Sequence, residues 1–346
     1  MKITTIGIDL AKNVFQVHGV DERGNTVLQK QIKRDQLVSF MANLPPCLVG
    51  MEACGSAHDW GRKLQNFGHT VRLMSPQFVK PYVKSNKNDA ADAEAICEAV
   101  ARPNMRFVPI KSIEQQAVLS LHRVRQGFVV ARTAQANQIR GLLAEFGIVL
   151  PKGICVIRSQ LLMRIEKAGD TLPEVFRQLM RRLYEHFVSL DQQVNELEGQ
   201  IKQWHRSCAL SLRLEKIPGV GPLTATALVA SIADARSFKN GRQLAAWLGL
   251  VPRQHSSGGK PTLLGISKRG DVYLRTLLIH GARAAILAAT RHAKSNPWLS
   301  SLLGRRNPNI AAVALANKNA RTIWALLVHD REFQADYVSR DRKSVV

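Results

Sequence analysis

A mixed α/β domain followed by a long, mainly helical remainder is the fold class this sequence predicts. Three observations predict it. The first hundred residues alternate short β-branched runs with helical patterns, the apolar period lengthens to three and four residues from about position 112, and positive charge gathers in the later part. In order, "ITTIGID" is a β-branched run, and "VFQVHGV" alternates apolar and polar positions like a hairpin partner across the tight turn "LAKN". "NTVLQKQI" supplies a third strand, "CLVGME" a buried fourth and "TVRLMS" a fifth. Between the last two, "SAHDWGRKLQNFG" is a helix closed by Gly68. Three antiparallel strands followed by β-α-β units make a mixed sheet.

From Ser112 to Phe146 the residues Leu121, Val124, Phe128, Ala131, Gln135, Gln138, Leu142 and Phe146 recur at helical steps, and "VLPKGI" then breaks the chain. Past Pro173 the sequence Leu183, Phe187, Leu190, Val194, Leu197, Ile201 alternates steps of four and three. That is a coiled-coil seam, and the two long helices are expected to pair antiparallel or across subunits. Beyond Leu210 the chain is helical, Ala/Leu-rich and punctuated by glycine turns. The final "SRDRKSVV" is expected to be a disordered tail.

The chain of 346 residues carries 49 Lys+Arg against 26 Asp+Glu, a net charge of +23. Between Arg236 and Arg321 there are 15 Lys/Arg and a single acid, Asp271. Such an excess fits a polyanion, above all nucleic acid, bound through neutralised phosphates. The five scattered cysteines form no CxxC pair, which argues against a disulfide framework or a zinc site and predicts a reducing cytoplasm. No signal peptide is expected, nor any segment long and apolar enough to span a membrane.

In a basic protein the acids are informative. Asp9 closes the strand "IGID", Glu52 closes "LVGME", and Asp89 and Asp92 share a face in the first turns of the helix "NDAADAEAICEAV". Helix capping by Asp89 or Asn88 explains the last motif taken alone. Two strand-end and two helical carboxylates from one domain are, taken together, what a two-metal phosphoryl-transfer site requires, and oxygen ligands suit Mg²⁺. Glu94 and Glu98 are secondary candidates, although helical geometry turns Glu94 away from the Asp89/Asp92 face.

In "KIPGVGPLTATALVASI", Gly219 and Gly221 form a tight turn before a helix, which resembles the helix-hairpin-helix of DNA-handling proteins; a compact turn that binds nothing has the same pattern. The segment "RQHSSGGKP" follows a helix ending at Gly249, and Arg253, Lys260, Lys268, Arg269 and Arg275 surround it with positive charge. On local grounds it is a flexible phosphate-binding loop rather than a nucleophile, because His255 has no carboxylate nearby to orient it.

Taken in order, "GIDLAKNVFQVHGVD", "GMEACGSAHDWGRKLQNFGHTVRLMSPQFVKPYVKSNKNDAADAEAICEA", "KIPGVGPLTATALVASI" and "LAAWLGLVPRQHSSGGKPTLLGISKRGDVYLRTLLIHGA" resemble the DEDD transposases of bacterial insertion sequences over roughly residues 3–330. The resemblance implies an RNase H-like (RuvC-like) domain at 1–111 with the tetrad on Asp9, Glu52, Asp89 and Asp92. It implies a helical coiled-coil segment at 112–206 for assembly and RNA binding, and a mainly helical, serine-bearing transposase domain at 207–330. The tail would be 331–346. It further implies Ser257 as the nucleophile, forming a covalent phosphoserine–DNA intermediate with Mg²⁺ (or Mn²⁺) assisting. A structured guide RNA from the same element and a homodimer pairing into a tetramer are implied as partners, in the bacterial cytoplasm at the nucleoid. Ser256 stands beside Ser257, so the assignment is one residue wide. A metal-only junction nuclease whose serine loop merely binds phosphate, and a non-enzymatic nucleic-acid-binding protein, are the competing readings.

Overall fold

The computed structural model describes residues 2–84, 88–291 and 297–335. The chain divides into two compact units, Met1–Ile113 and Glu114–Val346. The first is built on a six-stranded sheet in the order β3-β2-β1-β4-β5-β6. Strands β1 (Thr5–Asp9), β2 (Val14–Val20) and β3 (Thr26–Lys33) form an antiparallel meander. Strand β4 (Leu48–Glu52) lies parallel to β1, and β5 (Thr70–Met74) lies parallel to β4. Ile6, Ile8, Phe15, Val17, Val49, Met51 and Leu73 are buried, so the short apolar runs earn their place through the core. The final edge strand β6 (Phe107–Val108), antiparallel to β5, was not expected, since two residues carry no period. Helices α1 (Leu37–Ala42), α2 (Ala57–Asn66), α3 (Pro76–Val79) and α4 (Asp89–Val100) complete the unit. Trp60 of α2 meets Phe15 edge-on at 5.2 Å between ring centroids, fixing that helix to the sheet.

The second unit contains α5 (Ile113–Ala144), α6 (Ile154–Ala168) and α7 (Glu174–Ser207). Polar ties at Trp204–Glu114 (2.8 Å), Arg125–Glu198 (2.9 Å) and His186–Gln135 (2.8 Å) run in opposite sequence directions, so α5 and α7 are antiparallel within one chain. The expected α7 seam is buried at Phe187, Leu190, Val194 and Ile201. The expected α5 stripe is displaced: Val124, Leu142 and Phe146 are exposed, while Val118, His122, Gln135, Ala136, Ile139 and Leu143 face inward. Gln135 faces inward as expected; the inward His122 was missed because a polar residue satisfied by partners does not register in a hydrophobic period. The break at "VLPKGI" is followed by the unforeseen α6, whose Ile157, Leu161 and Ile165 complete a core with Ile139, Phe176 and Met180.

Helices α8 (Ala209–Glu215), α9 (Pro222–Ser231), α10 (Gly241–Trp247), α11 (Val272–Arg291), α12 (Pro297–Arg305) and α13 (Pro308–His329) surround a second core that includes Leu228, Leu244, Leu278, Ala282, Leu315 and Ile323. Strands β7 (Pro252–Ser257) and β8 (Lys260–Ile266) form a separate hairpin. The expectation that nothing is long and apolar enough for a membrane span needs correction. Val272–Arg291 passes that test, with a mean hydropathy of 1.3. Its Leu274, Leu278, Ala282 and Ile286 belong to the helical core, and core helices meet the same length and composition criteria. The tail expected at 331–346 needs correction at its start, where Phe333 packs on the helical core and Glu332 pairs with Lys216 at 2.6 Å; its final "SRDRKSVV" lies outside the described residues.

Candidate active site

The ends of two neighbouring parallel strands set the first half of the site. Asp9 closes β1 and Glu52 closes β4, one step beyond the paired Ile8 and Met51. Helix α4 is started by Asn88, whose side chain accepts a hydrogen bond from the Ala90 N–H at 3.0 Å. Capping therefore falls to Asn88 and leaves the carboxylates of Asp89 and Asp92 for other work. The helix approaches the sheet this closely because of two strand glycines. A Cβ on Gly7 would lie 2.2 Å from the Ala93 carbonyl oxygen and 2.4 Å from the Cys97 nitrogen; one on Gly50 would lie 2.7 Å from the Val100 Cβ. These glycines carry functional weight that a search for charged residues passes over. The available signal is a glycine interrupting an apolar strand.

The result is a cluster in which one carboxylate oxygen each from Asp9, Asp89 and Asp92 lies within 4.8 Å of the others. Asp9 and Asp92 are half-buried and Asp89 is exposed. Glu52 is half-buried on the adjacent strand end but does not join this group. Desolvation, together with the negative charges of Glu52 and Asp9, holds the Cys54 thiol above its ordinary pKa, so both acids contribute to one negative field. Three hard oxygen donors at this spacing fit a divalent cation. The secondary candidates are otherwise engaged: Glu94 pairs with Lys84 at 3.0 Å, and Glu98 with Lys84 and Arg102.

The serine segment is an ordered β-hairpin, not the flexible loop its composition suggests. Ser257 ends β7 opposite Lys260, and Gly258 and Gly259 form the two-residue turn with φ of 56° and 75°. Both positions need the left-handed backbone that glycine adopts without strain, as in type I′ hairpins. Strand alternation and register place Ser257, His255, Lys260 and Thr262 on one face. Ser256 points the opposite way, where its hydroxyl oxygen accepts from Gln254 Nε2 at 2.8 Å. Ser257, His255, Arg253 and Lys260 are all exposed.

The hairpin is fixed at its base. Helix α10 ends in a Schellman turn, with the Gly249 N–H bonded to Ala246 and the Leu250 N–H to Ala245. The Ser267 N–H bonds the Val251 carbonyl at 2.8 Å. A Cβ on Gly270 would lie 1.8 Å from the Trp247 carbonyl oxygen. Arg275, expected among the phosphate contacts, is buried, and its Nη1 donates to the carbonyls of Leu248 (3.1 Å) and Arg269 (3.0 Å). A guanidinium filling that role is a strut, because its donors satisfy buried carbonyls rather than meet solvent. Lys268 and Arg269 remain exposed at the surface of the same turn.

Between α8 and α9, Gly219 has φ of 88°, and a Cβ there would lie 2.6 Å from the Gly281 carbonyl oxygen of α11. Its open side is therefore consumed by packing. Gly221 is exposed at the start of α9 with nothing near its Cα. Of the two turn glycines, Gly219 is half-buried and Gly221 is exposed.

Comparison with known proteins matches both units, the first match running past the first unit through α5. Residues 6–148 match the DEDD transposase model of IS110, described as "Transposase", and residues 211–296 match the model described as "Transposase IS116/IS110/IS902 family". The chain is 55% identical, over 94% of its length and 97% of the relative's, to the "Probable family 20 transposase" of Pseudomonas aeruginosa. It is 45% identical to the transposase for insertion sequence element IS1111A of Coxiella burnetii, covering 96% of this chain and 92% of that one. It is 44% identical to the transposase for insertion sequence element IS1328 of Yersinia enterocolitica, over 96% and 98% of the two chains.

Proposed function

Because the chain belongs to the IS116/IS110/IS902 family of transposases, we propose that it cleaves and rejoins insertion-sequence DNA with two sets of residues, the Asp9/Glu52/Asp89/Asp92 carboxylates and the Ser257 hairpin. Membership makes it an enzyme of transposition that acts on DNA, and the DEDD-type domain suggests use of a divalent metal. The observation that carries the finer reading is the convergence of Asp9, Asp89 and Asp92 within 4.8 Å.

The first unit is read as an RNase H-like, RuvC-like domain: a three-strand meander beside two parallel strands, with acids at the strand ends and on the helix packed over them, supports it. Asp9, Asp89 and Asp92 would hold Mg²⁺ (or Mn²⁺), with Glu52 as the neighbouring fourth carboxylate. The bound ion supplies Lewis-acid stabilisation of charge developing on a phosphodiester. Ser257 Oγ attacks phosphorus, forming a phosphoserine bond as the bond to one sugar oxygen breaks. The displaced oxygen takes up a proton, and His255, on the same hairpin face, accepts the proton that the serine gives up. Lys260, opposite Ser257, offsets charge at the reacting phosphate. Arg253, Lys268, Arg269 and the Gly221 turn bind the DNA backbone without reading sequence.

The segment 112–206 serves assembly, as a homodimer pairing into a tetramer, and binds a structured RNA from the same element that guides target choice. The domains on this reading are 1–111, 112–206 and 207–330, and the protein works in the bacterial cytoplasm at the nucleoid.

A trapping experiment tests the mechanism. Protein and RNA are incubated with DNA carrying the element junction, denatured and probed for protein–DNA adducts. Adducts are expected from wild type and Ser256→Ala and absent from Ser257→Ala; His255→Ala should slow their formation by roughly 10²–10⁴-fold. Metal-dependent cleavage that survives Ser257→Ala without an adduct would replace this mechanism with a metal-only junction nuclease.

A further inference from the structure

Away from the serine hairpin, the helical unit carries a partly open cavity of about 900 Å³ between α11, α12, α13 and the segment after α13. That is the size range of small-molecule sites. Trp298 and Phe333 supply aromatic walls, Ala289 and Leu315 aliphatic ones, and Lys318 and Arg321 reach it from α13. The Lys318 ammonium stands 4.4 Å from the centroid of the Trp298 ring.

Charge narrows the choice of occupant. Glu332 is the only acid among the described lining residues, and its carboxylate is taken by Lys216 at 2.6 Å and Arg213 at 3.5 Å. Burial, with Arg321 adding, depresses the Lys318 pKa, as expected for a cation without a compensating acid. The cavity therefore asks for a ligand that is flat and apolar in one part and anionic in another. In a protein that acts on DNA, the unit of that chemistry is one nucleotide: a base on the aromatic and aliphatic walls, its phosphate on the two cations.

We propose that this cavity receives a single unpaired nucleotide lifted from the bound nucleic acid, its base held against Trp298 and Phe333 and its phosphate by Lys318 and Arg321. The site is distinct from the carboxylate cluster and the serine hairpin and rests on the reading that the protein binds DNA. Its role is to capture DNA that is already distorted, since an extrahelical base costs less to extract than a paired one.

The test uses the full chain and two duplexes, one fully paired and one carrying a single bulged 2-aminopurine. Wild type should favour the bulged duplex by roughly tenfold, as expected for one stacked base, and should quench its fluorescence. Trp298→Ala and Lys318→Gln should each bring the two affinities level while keeping affinity for the paired duplex; Trp298→Phe should retain the preference. Lys318→Gln, which replaces one half-buried polar chain with another, serves should Trp298→Ala misfold. Equal affinity of wild type for both duplexes, or a preference that survives both variants, overturns the proposal and leaves the DNA-binding reading intact. Failure to bind either duplex overturns both. Displacement of the bulged base by free adenosine monophosphate at a similar affinity per site supports the pocket chemistry. Binding of that mononucleotide alongside equal duplex affinities makes the source a free nucleotide and overturns the proposal.

Discussion

A single methyl group at Gly7 is enough to disturb the carboxylate cluster. Its Cβ would strike the backbone of α4, and that helix cannot retreat without carrying Asp89 and Asp92 away from Asp9. Gly7→Ala is expected to cost about 1–3 kcal/mol by overpacking and to abolish metal-dependent cleavage. Chemical denaturation and junction cleavage would measure the two effects, and cleavage near wild type would show that the cluster tolerates the displacement. Arg275 has a comparable role at the serine hairpin. Arg275→Ala leaves the Leu248 and Arg269 carbonyls without their donor, at a cost of about 1–3 kcal/mol, and should slow adduct formation far more than it weakens DNA binding. Parallel adduct and affinity measurements check this; an equal loss in both would make Arg275 a contact rather than a strut. The sequence revealed the charge of Arg275 but not its burial, because nothing local distinguishes a surface cation from one that caps carbonyls inside a turn.

Between elements, one buried histidine ties three helices together. Thr226 Oγ1 donates to the Pro222 carbonyl at 2.8 Å, so its lone pair accepts from His122 Nε2–H at 3.0 Å, and His122 Nδ1 accepts from the Tyr273 hydroxyl at 2.9 Å. That arrangement needs a neutral ring. Burial, with Arg125 adding, pushes the His122 pKa down from 6.5 to about 4. Between those values the unfolded chain binds more protons than the folded one, so stability is complete above pH 6.5 and declines as pH falls toward 4. The loss is worth about 3 kcal/mol, or roughly 6–12 °C in Tm for a unit of this size. Comparing Tm at pH 7 and pH 4.5 for wild type and His122→Gln isolates the contribution: the acid-induced drop should be smaller in the variant, and equal drops would remove His122 from the account. Element-level reading succeeded where burial is apolar, as in the Phe187–Ile201 stripe of α7. On α5 it placed Gln135 inward correctly but missed His122, which is buried through hydrogen bonds that a hydrophobic period cannot register.

Across the whole molecule, a net charge of +23 predicts DNA binding that weakens steeply with salt. For about 6–10 phosphate contacts, affinity should fall roughly 10³–10⁵-fold between 50 and 200 mM salt. Replacing Arg253, Lys268 or Arg269 with alanine should each lower the log–log slope by about one; slopes unchanged in all three variants would move the phosphate contacts elsewhere. The family resemblance singled out Ser257; composition and order alone determined the rest: the mixed sheet from its alternating runs, the two long helices, the concentration of charge, and four carboxylates worth testing. These are legible because burial periodicity and charge are written residue by residue. Only the tertiary structure decided that Asp9, Asp89 and Asp92 converge while Glu52 stands aside, and that "SSGG" is the tip of a β-hairpin with Ser256 and Ser257 on opposite faces. Only it decided that Arg275 lies inside and that Trp298 and Lys318 line a cavity. The carboxylate cluster depends on distances between residues far apart in the chain, and the hairpin on backbone pairing that a Gly/Ser-rich composition does not specify.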